Sequence, residues 1–296
     1  MNEQNANRSI PFVDTHHHLW ELDRLDYEWL TDATADDDGP IGPYKPLRTD
    51  WGPPRLFREF YGQNVIKSIH VEAAMTGPDP VAETEWLATV NAEYGRPNAF
   101  VVYCDLKTDD AGSQLDRHLA ASPLVRGVRD YIPGEEGMAA FRAGLQQLQE
   151  RGLSFDLNPP EAGFHVLIEL VNDFPDLQFV VGHAGAPRAS EPETFDAWAA
   201  NITEIAAADN VTIKISGMGM RANAWTIDSI RRWVLHCIEA FGVERSMFGT
   251  NWPVDVLFAS YFEQVDAYRI ILAEGGFSDA DQHALLHGNA ERIYRI

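Results

Sequence analysis

The chain has 296 residues, of which 45% are hydrophobic and 23% charged, and its formal net charge is −22. This composition is ordinary for a globular protein with a sizeable core, and the acidic balance argues against binding to nucleic acid or to an anionic membrane. No apolar run approaches the length of a membrane span, and the first residues, Met1 to Asn7, lack the apolar segment of a secretion signal. We therefore expect a cytoplasmic protein.

Short apolar runs alternate with amphipathic segments along the whole chain. The predicted strands are Phe12–His16, Val65–Glu72, Ala99–Asp105, Val125–Arg129, Leu153–Leu157, Gln178–His183, Val211–Ser216 and Ser246–Asn251. The predicted helices are Pro80–Tyr94, Ser113–Ala121, Gly137–Arg151, Ala162–Phe174, Thr194–Ala207, Ile227–Phe241 and Tyr261–Ala273. This alternation predicts an α/β fold, a single (β/α)8 TIM barrel over residues 1–296. A doubly wound open sheet is the alternative, and the absence of an early Gly-x-Gly-x-x-Gly disfavours it.

The first predicted strand ends in three histidines. Alternate residues of a strand share a face, so His16 and His18 are predicted to point one way and His17 the other. Two imidazoles placed in this manner can bind one metal ion, or one carbonyl or anionic group of a substrate. An apolar run leads into the histidines, which argues against a purification tag.

The segment from Leu19 to Gln63 is too long for an ordinary strand–helix connection. It is rich in aromatic residues and contains the acidic run Asp36-Asp37-Asp38. Because it follows the first strand, we expect it to lie over the catalytic face of the barrel as a lid, with Trp20 and Tyr44 in contact with substrate.

Catalytic residues of such barrels lie at the C-terminal ends of the strands. The second predicted strand ends with His70 and Glu72, which share a face, and Glu72 lies nearer the rim. We expect Glu72 in the chemistry and His70 in substrate binding; the alternative for Glu72 is an ion pair with an arginine. The fourth strand ends with Arg129, whose planar guanidinium suits a carboxylate or a lactone oxygen.

Several of these motifs resemble the amidohydrolase superfamily, in particular the branch that contains sugar lactonases and a pyrone-dicarboxylate lactonase. The opening Asp-x-His-x-His-x-Trp spans residues 14–20, Gly-Val-Arg spans 127–129, and a Gly-Asn-Ala-x-Arg-x-Tyr tail spans 288–294. The resemblance also implies a site role for His183, which ends the sixth strand before a glycine-containing turn.

The resemblance implies a hydrolase that opens a small lactone of a sugar acid or of an aromatic-degradation intermediate. Three histidines, His16, His18 and His183, would polarise the carbonyl, either directly or through a divalent metal such as Zn²⁺. Arg129 would bind an acidic substituent of the substrate, and Glu72 would activate water. Whether a metal takes part is left open, because the resemblance covers members of both kinds. The expected partner is a small molecule, and a homo-oligomer is compatible with the sequence.

At the end of the eighth strand the sequence departs from the superfamily pattern. Asn251 stands where the superfamily has an aspartate, and an amide orients water but does not accept its proton. We expect Asp255, four residues on, to be displaced from that position. Asn251 therefore motivates one alternative to a lactonase, a binding protein with impaired catalysis. The resemblance implies a second, a metal-dependent, non-oxidative decarboxylase of a neighbouring branch of the superfamily.

Overall fold

The structure is a computed structural model that describes residues 7–32, 41–157, 164–222 and 224–296. Eight parallel strands form one sheet in chain order. They are β1 (Phe12–His17), β2 (Val65–Val71), β3 (Ala99–Tyr103), β4 (Val125–Asp130), β5 (Ser154–Leu157), β6 (Phe179–Val181), β7 (Val211–Ile215) and β8 (Ser246–Phe248). The sheet is a nearly closed barrel with helices between its strands, which confirms the predicted TIM barrel.

The last strand and the turn after it are hydrogen-bonded to the first strand. Thr15 Oγ1 donates to the carbonyl of Phe248 at 2.7 Å, and the amide of Asn251 donates to the carbonyl of His16 at 2.7 Å. These bonds hold the β8 turn beside the histidine end of β1.

The described residues also form helices. They are α1 (Glu28–Thr31), α2 (Pro53–Glu59), α3 (Val81–Tyr94), α4 (Ala111–Ala121), α5 (Glu135–Glu150), α6 (Phe164–Asp173), α7 (Phe195–Ala206), α8 (Ile227–Phe241), α9 (Tyr261–Glu274), α10 (Asp279–His283) and α11 (Asn289–Tyr294). Each of the seven predicted helices is present, with ends shifted by a few residues at most. The first two residues of the predicted helix Ala162–Phe174 lie outside the described residues, as does Asp36-Asp37-Asp38. No helix in the described part of the chain is both long and apolar enough to cross a membrane.

The strands β6 and β8 end before the site residues that the sequence placed at their ends. β6 ends at Val181 instead of His183, and β8 ends at Phe248 instead of Asn251. His183 has φ +49° and Asn251 has φ +59°. This left-handed backbone cannot continue a strand, so both side chains are presented by turns beyond the strand ends.

The N-terminal end of the barrel is filled by the C-terminal helix α11. Tyr294 packs with the inward-facing apolar residues of the strands. Its hydroxyl donates to Asp156 Oδ2 at 2.5 Å, and the same carboxylate accepts a bond of 2.9 Å from Lys214 Nζ. Lys214 is therefore held inside the barrel by its bond to Asp156.

Candidate active site

A cavity of about 720 Å³ lies at the C-terminal ends of the strands. Its polar lining residues are His18, Arg129, Tyr131, His183, Arg221 and Asn251. Its larger apolar lining residues are Trp20, Trp29, Ile41, Ile132, Val166 and Val254. A volume of this size suits a small-molecule ligand. Residues predicted from strands 1, 4, 6 and 8 thus meet at one cavity, while their chemical roles stay predictions.

The histidines of β1 divide between two faces, as the strand period predicts. The ring of His16 lies 4.5 Å from the ring of His183 and 5.0 Å from the ring of His18, measured between centroids. His17 points the other way and lies 5.9 Å from the ring of His70. Burial lowers the pKa of each of these rings. The imidazoles are therefore neutral near pH 7.

The hydrogen bonds of His18 fix which of its nitrogens carries the proton. Its Nδ1 lies 2.8 Å from the backbone carbonyl of Val71, and only a protonated Nδ1 can donate there. Nε2 therefore presents a lone pair, and it faces Asn251 Oδ1 at 3.3 Å. Burial, followed by the charge of Arg129, lowers the pKa of His18 to about 4. A neutral ring with a free lone pair can accept a proton or bind a metal.

The position of His183 depends on the turn that follows β7. Its Nδ1 is hydrogen-bonded to Ser216 Oγ at 3.2 Å. Gly217 has φ +61°, and a Cβ at this position would lie 2.7 Å from His183 Nδ1. Only glycine therefore allows the turn to approach the imidazole this closely.

Asn251 lies on the cavity wall, and Asp255 lies behind it. The Asn251 amide nitrogen donates to Asp255 Oδ1 at 2.8 Å and contacts Met220 Sδ at 3.1 Å. Gln264 Nε2 donates to Asp255 Oδ2 at 2.9 Å. Burial raises the pKa of Asp255 to about 7, against the lowering effect of the bonds from Asn251 and Gln264. The expected displacement of Asp255 from the superfamily aspartate position is confirmed.

Glu72 is held in an ion pair and does not line the cavity. Its Oε1 accepts from Arg129 Nε at 2.5 Å, and its Oε2 accepts from the amide of Ala74 at 2.7 Å. Arg129 also donates to the backbone carbonyl of Glu72 at 2.7 Å. The geometry corresponds to the ion-pair alternative for Glu72, and it leaves neither carboxylate oxygen on the cavity wall to receive a proton from water.

Two residues expected to bind substrate lie away from the cavity wall. His70 is buried behind His18, with 6.4 Å between ring centroids. Tyr44 is buried against Trp29, with 5.6 Å between ring centroids. The predicted contacts of His70 and Tyr44 with substrate are untested, and the burial of both side chains away from the cavity does not support them.

The long segment after β1 contributes aromatic walls to the cavity, as expected for a cover. Trp20 lines the cavity and donates through Nε1 to the carbonyl of Thr49 at 2.7 Å. Trp29 also lines it and donates to the carbonyl of Ala73 at 3.0 Å. Trp29 was not singled out from the sequence, although the aromatic content of its segment pointed toward it.

Both ring nitrogens of His16 are buried and have no hydrogen-bond partner among the described residues, and His18 offers a lone pair beside it. The Nδ1–H of His18 on a backbone carbonyl is a common outer contact of a metal-binding histidine. Within the ranges that the structure describes, however, no three His, Cys, Asp or Glu side chains are arranged to hold a metal ion. His16 and His18 thus fit a metal in donor type, and the three-histidine set with His183 stays a prediction.

Sequence reasoning missed Arg221 and Met220, which line the cavity from the turn after β7. Neither belongs to a motif, and the only available signal was position, because turns that follow barrel strands face the active site.

Comparison with known proteins places this chain in a family. The amidohydrolase family profile matches residues 13–296. An uncharacterized protein of Sinorhizobium fredii, y4mH, is 34% identical over 97% of this chain and 99% of its own length. An L-fucono-1,5-lactonase of Burkholderia multivorans is 27% identical over 96% of each chain. A crystal structure of an amidohydrolase from Burkholderia multivorans with bound zinc has a TM-score of 0.77 and 28% identity, covering 97% of this chain and 99% of that one.

The chain therefore belongs to the amidohydrolase family, as the resemblance of its motifs predicted. It is a hydrolase of that family, with its candidate active site at the C-terminal mouth of the barrel.

Proposed function

We propose that this protein hydrolyses a small lactone. The observation that carries the proposal is the pair of acceptors formed by His18 Nε2 and Asn251 Oδ1, 3.3 Å apart on the cavity wall. Two acceptors that face each other are matched by a molecule that donates to both, and water is the simplest such molecule. The pair would orient a water oxygen toward a carbonyl carbon in the cavity. The lactonase names among similar proteins support a lactone as the electrophile.

Each residue of the site has a separate role in the proposed reaction. Water adds to the lactone carbonyl, and His18 Nε2 takes its proton, which the neutral ring is able to accept. The carbonyl oxygen becomes an oxyanion facing His183 and the guanidinium of Arg129, which stabilise it. The ring C–O bond then breaks, and the departing alkoxide receives the proton from His18. In this scheme Glu72 positions Arg129 and does not act as the base.

A divalent metal, when bound, would polarise the carbonyl and lower the pKa of water. His16 and His18 are the residues that would hold it. Because a metal on Nε2 would occupy the lone pair of His18, the role of His18 as the base applies to the site without metal. Metal analysis of protein purified without added metal, followed by chelation, measures whether one is bound and required.

The experiment is an acid-release assay with a panel of aldonic and aldaric acid lactones. We expect wild-type turnover, with losses on the order of 10²- to 10⁴-fold in His18→Gln, as for removal of a general base. His165→Gln, at an exposed position on α6, is the matched control and should behave as wild type. Failure to open any lactone, with or without added divalent metal, would refute the proposal. Release of carbon dioxide from an aromatic acid would favour the decarboxylase alternative.

A further inference from the structure

Two histidines lie side by side on the helical segment that ends the chain. His283 is the last residue of α10, and His287 follows four positions later, so the two side chains are neighbours on one side of the segment. Their ring centroids are 4.6 Å apart, with 78° between the ring planes. Two histidines at this spacing on a helix can bind one metal ion together.

The backbone that carries the pair is uncommon. Residues Ala284–Gly288 form a turn of π-helix between α10 and α11. Such turns are rare and are found frequently at functional sites. The turn leaves His283 exposed and His287 half-buried, so one side chain of the pair can move while the other is held by its surroundings.

The contacts of His287 determine which of its nitrogens carries the proton. Its Nε2 lies 3.2 Å from Glu291 Oε2, and a carboxylate accepts from the N–H of an imidazole, so the proton lies on Nε2. Nδ1 then carries a lone pair, and it is buried with no hydrogen-bond partner among the described residues. Burial lowers the pKa of His287, which keeps the ring neutral near pH 7. A neutral imidazole that donates to a carboxylate through one nitrogen and presents the other is typical of a metal ligand.

The carboxylate behind His287 is itself held in place. Glu291 forms an ion pair with Lys67, and Lys67 lies in the first half of β2. The pair of histidines is therefore fixed to the N-terminal end of the barrel, away from the cavity at the C-terminal ends of the strands.

We propose that His283 and His287 bind a divalent transition-metal ion such as Zn²⁺, with water completing its coordination and Glu291 orienting His287. Two imidazoles that bind one ion at about 2.1 Å have ring centroids about 4.5 to 5 Å apart, and the pair here lies within that range. Because His283 is exposed, its ring can rotate to direct a nitrogen at the ion. The net charge of −22 favours the approach of a cation. This site is separate from the active site and does not depend on the proposed function.

The test is a calorimetric titration of metal-free protein with Zn²⁺. Wild type should bind one Zn²⁺ that neither His283→Gln nor His287→Gln binds. Glu291→Gln should bind that ion about 10- to 100-fold more weakly, as expected when a carboxylate that orients a metal-binding histidine is removed. His283 is exposed, so its variant should fold even if His287→Gln does not.

His236→Gln is the matched control. His236 Nδ1 also lies near a carboxylate, 4.0 Å from Glu239 Oε2, but its Nε2 lies 3.1 Å from the carbonyl of Ala199 and is not available to a metal. This variant should bind Zn²⁺ as wild type does. An ion bound at the active site would persist in the control and in all three other variants, so it would not be mistaken for the proposed one.

Chemical modification of histidines by diethyl pyrocarbonate, read by mass spectrometry, locates the ion. In wild type, Zn²⁺ should protect His283 and His287 from modification. Zn²⁺ binding of unchanged number and affinity in His283→Gln would overturn the proposal. Equal modification of His283 in wild type with and without Zn²⁺ would overturn it as well.

Discussion

The side-chain amide nitrogen of Asn251 donates to Asp255 Oδ1 at 2.8 Å, and this bond decides which way the amide faces. With its nitrogen directed at the carboxylate, Asn251 turns its oxygen toward His18 Nε2. The residue in the place of the superfamily aspartate is therefore a fixed acceptor, and its orientation comes from a buried carboxylate behind it.

Substitutions of Asn251 should show whether it only orients water or takes part in the reaction itself. Asn251→Ala removes one hydrogen bond to water, so we expect kcat to fall about tenfold. Asn251→Asp would place a second carboxylate beside Asp255, and two carboxyl groups at this distance share a proton. A new ionisation should then appear in the pH dependence of kcat. Inactivity of Asn251→Ala, at a thousandth of wild type or below, would show that Asn251 takes part in the chemistry directly.

Asp255 should also make folding stability depend on pH. Burial raises its pKa in the folded protein to about 7, from 3.8 for an exposed aspartate. Between these values the folded state binds more protons than the unfolded state, so this group's contribution to stability falls as pH rises from about 4 to about 7. When the pH is raised from 5 to 8, the free energy of unfolding, measured with urea, should fall less in Asp255→Asn than in wild type. An equal fall in the two proteins would contradict the raised pKa of Asp255.

Gly217 should be required for two reasons: its positive φ and the close approach of its Cα to His183. The second reason should matter more for activity. Gly217→Ala places a methyl group 2.7 Å from His183 Nδ1, so the ring must move and activity should fall at least tenfold. Gly95→Ala is the control, because Gly95 has φ +70° and no atom of the described residues lies within 4 Å of an added Cβ. Both variants should lose about 1 kcal/mol from the strained backbone. Equal activities in the lactone assay would remove the special role of Gly217.

The Glu72–Arg129 pair should contribute to stability as a coupled unit. Breaking a buried ion pair from one side costs about 3 to 5 kcal/mol, because it leaves a buried charge without its partner. We expect Glu72→Gln to lower the free energy of unfolding by an amount in this range. The double variant with Arg129→Gln should lose much less than the sum of the single losses. Additive losses, measured by denaturant unfolding, would show that the two side chains act independently.

Much of the barrel follows from local pattern. Apolar strands alternate with amphipathic helices along the chain, and a parallel sheet closed in chain order satisfies this alternation. The two-residue period of a strand places His16 and His18 on one face of β1 and His17 on the other, as found.

Two features of the site had no local signal in the sequence: the ends of two strands and the partner of Glu72. The ends of β6 and β8 depend on the left-handed backbone of His183 and Asn251, and neither residue type requires that conformation. Glu72 and Arg129 are 57 positions apart, so no local pattern could show that the carboxylate is occupied by the guanidinium.

The sequence by itself therefore determined the barrel, the family and the histidines that converge at its mouth, because these depend on periodic burial and on motifs at strand ends. Only the tertiary structure decided which polar atoms remain available there. It paired Glu72 with Arg129, turned the Asn251 oxygen toward His18, and left the charge of Arg221 facing the cavity. Hydrogen bonds and ion pairs between distant strands set these choices, since each donor or acceptor is satisfied by whichever partner the closed barrel brings within reach.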